Sequence, residues 1–165
     1  MVDALIAAMG GVVGARWQNA DQLHLTLAFL GDVDGRFLPD LDSALSAIRH
    51  PHVALSCHGV GHFTRRQRVT TLWASANPGE MLRRLASQID VACRSAGIAP
   101  EGRPFIPHIT IARLNEGPAN VVAFLTKNSA FGVAAQEVRS FGLYQSTITP
   151  TGSDYSLLAD YPLTV

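Results

Sequence analysis

The sequence predicts an α+β fold built as one unit. Strand-like alternation and helix-like stripes interleave along the chain, and no low-complexity linker divides it. A four-residue pattern, His-x-Thr-x, occurs at position 24 and again at position 108, about half the chain apart. This weak internal repeat predicts two related halves.

Leu5, Met9 and Val12 or Val13 recur at helical spacing, although Gly10-Gly11 weakens that helix by about 1 kcal/mol per glycine. Leu23 to Leu30 alternates apolar residues with His24, Thr26 and Ala28, the signature of a strand closed by Gly31-Asp32. Phe37, Leu41, Leu45 and Ile48 form a helix stripe, with Pro39 suited to its first turn. Val53, Leu55 and Cys57 read as a short strand, Thr64 to Arg68 as a polar basic loop, and Val69 to Ala76 as a strand containing Trp73. In the next helix, Asn77 can cap, Pro78 suits the first position and Glu80 completes a capping box. Leu82, Leu85, Ile89, Ala92 and Ala96 make its buried stripe, and Gly97 ends it. Two prolines then lead into the alternating strand around His108-Ile109-Thr110-Ile111-Ala112-Arg113. Pro118 to Lys127 predicts a short helix, and Val138 to Thr147 and Tyr155 to Ala159 predict closing strands, with a bulge where alternation slips between Val138 and Phe141.

With 47% hydrophobic residues in 165, the chain can bury a core of one-domain size. A formal net charge of zero argues against gripping long nucleic acid by bulk charge, but one phosphate at a strand end needs only a few placed donors. Cys57 and Cys93 form no CxxC pair and read as buried free thiols of a reducing compartment. No apolar run spans a membrane, and no basic segment precedes Ala4 to Val13 as in a signal peptide, so a cytoplasmic protein is expected.

The two His-x-Thr-x segments carry the chemistry. Residues i and i+2 of a strand share a face, so His24 lies with Thr26 and His108 with Thr110 while the apolar neighbours anchor the other face. Two imidazoles and two hydroxyls converging on one volume suit opening of a cyclic phosphodiester. One imidazole deprotonates water, the other protonates the leaving oxygen, and the hydroxyls donate to phosphoryl oxygens. No metal is required. A single histidine on such a strand reads as structural; the matched pair does not.

These segments resemble the 2H phosphoesterase superfamily, most closely its LigT-like branch of RNA 2',3'-cyclic phosphodiesterases, historically called 2'-5' RNA ligases. The resemblance runs through Leu23 to Gly31, Gly61 to Phe63 with Trp73, Pro104 to Arg113, and Leu143 to Ser146 followed by Tyr155. It implies a bilobal fold of two antiparallel sheets with outer helices, related by a pseudo-twofold about an active-site cleft. It implies hydrolysis of a 2',3'-cyclic phosphate to a 2'-phosphate, with His24 as proton donor to the 3'-oxygen and His108 as base. The sequence by itself leaves those two roles open. Arg113 matches a family arginine near the phosphate, yet alternation puts it on the face opposite His108 unless the strand ends, twists or bulges. Phe29 has the same parity problem and reads mainly as core, with base stacking as the alternative. Members of the branch begin with a strand before the first helix. Only Met1 and Val2 precede the helical pattern here, so residues 1–165 are expected to form a single domain lacking that strand.

Other candidates are weaker. His50 and His52 flank Pro51 and read as solvated turn residues; His58 and His62 lie where no helix would pair them on a metal. Arg65, Arg66 and Arg68 form a basic cluster, either a solvated loop or an attractor of RNA phosphates beyond the scissile one. Gly59 and Gly61 open no dinucleotide fingerprint, and no phosphate loop for ATP is present, so no cofactor is expected. The expected partners are RNA ends or small cyclic nucleotides as substrate. The protein is expected to be a monomer, with a dimer as alternative. Running the reaction backwards would make an ATP-independent 2'-5' RNA ligase, and a non-catalytic nucleotide- or phosphate-binding module is the third reading.

Overall fold

The computed structural model describes residues 1–77, 79–114, 121–150 and 152–164. Along the chain the elements are α1 (Val2–Ala8), β1 (Ala15–Trp17), α2 (Leu38–Ser46), β2 (Val53–Arg65), β3 (Arg68–Ala76), α3 (Glu80–Ser95), β4 (His108–Leu114), α4 (Val121–Lys127), β5 (Gly132–Val138), β6 (Ser140–Thr149) and β7 (Gly152–Pro162). This α+β arrangement forms two compact units. One comprises Met1–Leu25, Leu55–Asn77 and Pro107–Gln136, the other Thr26–Ala54, Pro78–Ile106 and Glu137–Val165.

The first unit is organised by a five-stranded sheet in the order β1-β4-β3-β2-β5. Its core joins Leu5 of α1 and Val121 and Phe124 of α4 to Leu72, Ala74, Ile109, Ile111, Ala112 and Leu114 of the sheet. Burying each large aliphatic or aromatic side chain there contributes about 1.5–3 kcal/mol. Helix α1 stops at Ala8, short of the predicted Val13, because Gly10 and Gly11 take φ values of 120° and 77° that no helix contains. Val12 nonetheless returns to the core.

The predicted strand from Leu23 to Leu30 does not form. Only Leu25 makes a bridge, antiparallel, to Ile109. The chain first runs along β4 through β1, leaves it for a 3-10 turn at Ala20–Gln22, and meets it again only at Leu25. Phe29, beyond that point, is 55% exposed rather than core. The predicted loop Thr64 to Arg68 is instead the tip of the β2–β3 hairpin, turned by Arg66 and Gln67 at φ 51° and 63°.

In the second unit, α2 and α3 accompany the two-stranded antiparallel sheet β6-β7. The α3 stripe Leu82, Leu85, Ile89, Ala92 and Ala96 is buried as expected, and Gly97 at φ 80° ends the helix. The N-terminal cap differs. Gly79 occupies the cap position without a side-chain bond, Pro78 lies outside the described residues, and Asn77 gives its backbone N–H to the Ser56 carbonyl at 2.8 Å. Pro118 also lies outside them. The irregularity foreseen between Val138 and Phe141 is the passage from β5 to β6, which belong to different sheets; the bulge sits at Leu143/Tyr144. His50 is buried, not solvated, with its Nδ1 against the Pro51 carbonyl at 2.7 Å. His52 lies 3.4 Å from Glu137.

Candidate active site

The sheet of the first unit has a second face, turned away from the α1/α4 core. Paired residues of an antiparallel sheet share a face. The register Ser75↔His108 and Trp73↔Thr110 therefore sets these four side chains together, while Ile109, paired with Ala74, points into the core.

The parity of Arg113 is settled by a bulge. Leu72 pairs with Ala112 and Trp73 with Thr110, so Ile111 is an extra residue on β4. Ile111 and Ala112 both face the core, being 1% and 0% exposed. The alternation resets, and Arg113, opposite Thr71, joins His108 and Thr110 on the outer face. Its Nη1 donates to Thr71 Oγ1 at 3.3 Å.

His24 reaches the same region by a different route. A capping box between Asn19 and Gln22 holds the 3-10 turn before it. The Leu25↔Ile109 bridge pairs the central residues of the two motifs. An antiparallel pair has a local twofold axis, which here maps His24-Leu25 onto His108-Ile109 and sets His24 beside Thr110. Leu25 packs on the core, leaving His24 toward the outer face. Its Nδ1–H donates to the Gln22 carbonyl at 2.7 Å, which fixes the neutral tautomer. Burial of the ring among protein atoms pushes the His24 pKa below its ordinary 6.5; the Gln22 carbonyl opposes this, and the charges of Arg113 and His108 add to the depression. Those two charges are thus close enough to be felt by the imidazole.

His108 stands against aromatic rings. The Phe63 ring meets it edge-on at 4.9 Å between centroids, and Trp73 lies at 6.1 Å. Trp73 fits because Gly61, its partner on β2, has no side chain; a Cβ there would fall 2.3 Å from the indole. Among the described residues, no group of three or more His, Cys, Asp or Glu could hold a metal ion. His24, His108, Thr110 and Arg113 all belong to the first unit, and Thr26, exposed, is the first residue of the second.

The family model described as the 2'-5' RNA ligase superfamily matches residues 12–142. The chain belongs to this superfamily. Among relatives of this 2'-5' RNA ligase superfamily chain, an RNA 2',3'-cyclic phosphodiesterase of Aeropyrum pernix is 31% identical over 142 residues, covering 84% of this chain and 80% of that one. The Escherichia coli protein of the same name is 32% identical over 145 residues, 88% of this chain and 78% of that one. Escherichia coli LigT complexed with 3'-AMP superposes with a TM-score of 0.81 at 26% identity, covering 100% of this chain and 94% of that one. A Thermus thermophilus protein of otherwise undescribed activity gives 0.80 at 25% identity, over 98% and 91%.

For this superfamily member, the residue reading named both histidines, Thr110 and Arg113 but assigned nothing to Phe63, Trp73, Thr71 or Gly61. Their alternation was visible; that β3 lies between β2 and β4 was not, and only the sheet order puts their side chains beside His108.

Proposed function

We propose that this chain hydrolyses RNA 2',3'-cyclic phosphate ends to 2'-phosphates by metal-independent acid-base catalysis. The observation that carries the reading is the gathering of His24, His108, Thr110 and Arg113 on one sheet face, with His24 under the electrostatic influence of both His108 and Arg113. The names borne by the relatives support the same chemistry.

In this scheme His108 takes a proton from water as its oxygen bonds to phosphorus. The bond from phosphorus to the 3'-oxygen breaks, and that oxygen receives a proton from Nε2 of His24. One water is consumed, and a proton passed from His108 back to His24 resets the pair. The hydroxyls of Thr26 and Thr110 and the Arg113 guanidinium donate to non-bridging oxygens as charge develops. His24 is disposed to be neutral in the empty site, so its role as acid relies on the phosphate anion, which favours the imidazolium.

Residues 1–165 would act as a single domain and a monomer. The two buried free thiols, Cys57 and Cys93, suit a cytoplasmic setting. No described helix is long and apolar enough to cross a membrane.

The test is turnover of 2',3'-cyclic AMP with EDTA present, with the position of the product phosphate determined. His24→Ala and His108→Ala should each lower kcat by about 10²–10⁴-fold with the fold retained by circular dichroism. Retained turnover in either variant rejects the pair. Because the reverse reaction uses the same groups, matched 2'-phosphate and 5'-hydroxyl RNA ends should be tested for joining, which would favour the ligase reading. Tight product binding with no turnover would favour a binding module.

A further inference from the structure

The outer face of the first sheet continues past the histidines, and what lies there is basic. Arg16 of β1 pairs with Arg113, which pairs in turn with Thr71, so Arg16 stands on the same face beside Arg113. On the other side, Phe63 pairs with Thr71. The next step is irregular in a way that matters: Thr64 pairs with Val69, so Thr70 is an extra residue on β3. Val69 packs on the core, and Thr70 turns its hydroxyl onto the Phe63 carbonyl. The reset puts the following pair, Arg65↔Arg68, back on the outer face.

Two bulges, at Ile111 and at Thr70, thus each return arginines to the face that carries His108. From the His108 row, the sheet runs through Thr110 and Trp73 to Arg16 and Arg113 and on to Arg65 and Arg68. Rows are two residues apart, about 7 Å, so the arginines extend about 20 Å from the histidine. Arg16, Arg65 and Arg68 are exposed, and none forms an ion pair with a carboxylate among the described residues. A chain with zero net charge has here set its cations in a line that begins at the catalytic histidine. Phe63 and Trp73 beside the line offer ring surface.

We propose that Arg16, Arg65 and Arg68 form a track for the backbone phosphates of the nucleotides preceding the cyclic end, so that the preferred substrate is an RNA strand rather than a cyclic mononucleotide. This rests on the proposed hydrolysis of cyclic ends. A 2',3'-cyclic phosphate closes the 3' terminus, so the rest of the strand can leave the site only through the 5' side of that last nucleotide. A row of unpaired guanidiniums matches a polyanion with regularly spaced charges, whereas a mononucleotide has no second phosphate to reach them.

The experiment compares kcat/KM for 2',3'-cyclic AMP and for a hexaribonucleotide with a 2',3'-cyclic end, from 50 to 300 mM salt, in the native chain, Arg16→Gln, and the Arg65→Gln/Arg68→Gln double variant. The native chain should prefer the hexamer at low salt and lose that preference as salt rises. Each lost phosphate contact should reduce the log–log salt slope for the hexamer by about 0.7. Turnover of 2',3'-cyclic AMP should stay unchanged in all variants. Equal efficiency on both substrates in the native chain, or variants that slow both alike, would overturn the track. Should the native chain turn over neither substrate, the hydrolysis reading fails separately. The track is then decided by fluorescence anisotropy with a hexamer ending in a 2'-phosphate, whose salt-dependent binding the variants must weaken. Arg16→Gln lies on β1, so it reports even where the double variant disturbs the hairpin.

Discussion

Arg113 stands five positions after His108, an odd offset that would send the two side chains to opposite faces of a regular strand. The extra residue Ile111 removes the conflict at the cost of one unpaired position in the ladder. One consequence is electrostatic. Arg113 depresses the pKa of His24, so Arg113→Gln should raise it, which an NMR titration of the imidazole carbon shifts would read directly. The sign extends to the rate. If His24 is the acid, its protonated fraction in the free enzyme falls as pH rises through a value below 6.5, and bound phosphate shifts that value upward. The alkaline limb of kcat/KM should therefore lie at lower pH than that of kcat. A kcat/KM profile that instead falls only on the acid side of this value would exchange the roles of the two histidines.

The elements differ in how far residues alone announce them. The α3 stripe and its terminating Gly97 were legible because helical periodicity is local. The histidine pair and Thr110 were legible because a motif occurring twice needs no knowledge of topology. The strand predicted over Leu23 to Leu30 failed because alternation describes a segment able to sit in a sheet, and whether a neighbour offers its edge is a tertiary matter. The bulges that place Arg113, Arg65 and Arg68 were equally hidden, since a bulge is a relation between two strands. Two substitutions test the β2–β3 hairpin. Gly61→Ala drives a Cβ into the Trp73 indole and should cost about 1–3 kcal/mol in chemical denaturation, with kcat falling as the ring beside His108 shifts. Gln67→Gly relieves a positive φ at the turn and should stabilise the chain by about 1 kcal/mol.

Each compact unit has its own hydrophobic content, and each is stitched from three separate stretches of sequence. Neither can be cut out as a continuous fragment, which fits the expectation of a single domain. The thiols happen to be distributed one to each, Cys57 in the first and Cys93 in the second, and both are buried. Burial pushes both pKa values up, with Asp90 adding to the effect at Cys93, so neither is a reactive thiolate in the folded chain. Nature has thereby installed a pair of silent probes. Pulsed alkylation across a urea series, read by peptide mass, would time the uncovering of each thiol without any engineered label. Matching midpoints would mean that the whole chain melts as one cooperative body, and separated midpoints would mean that one half can open while the other keeps its shape.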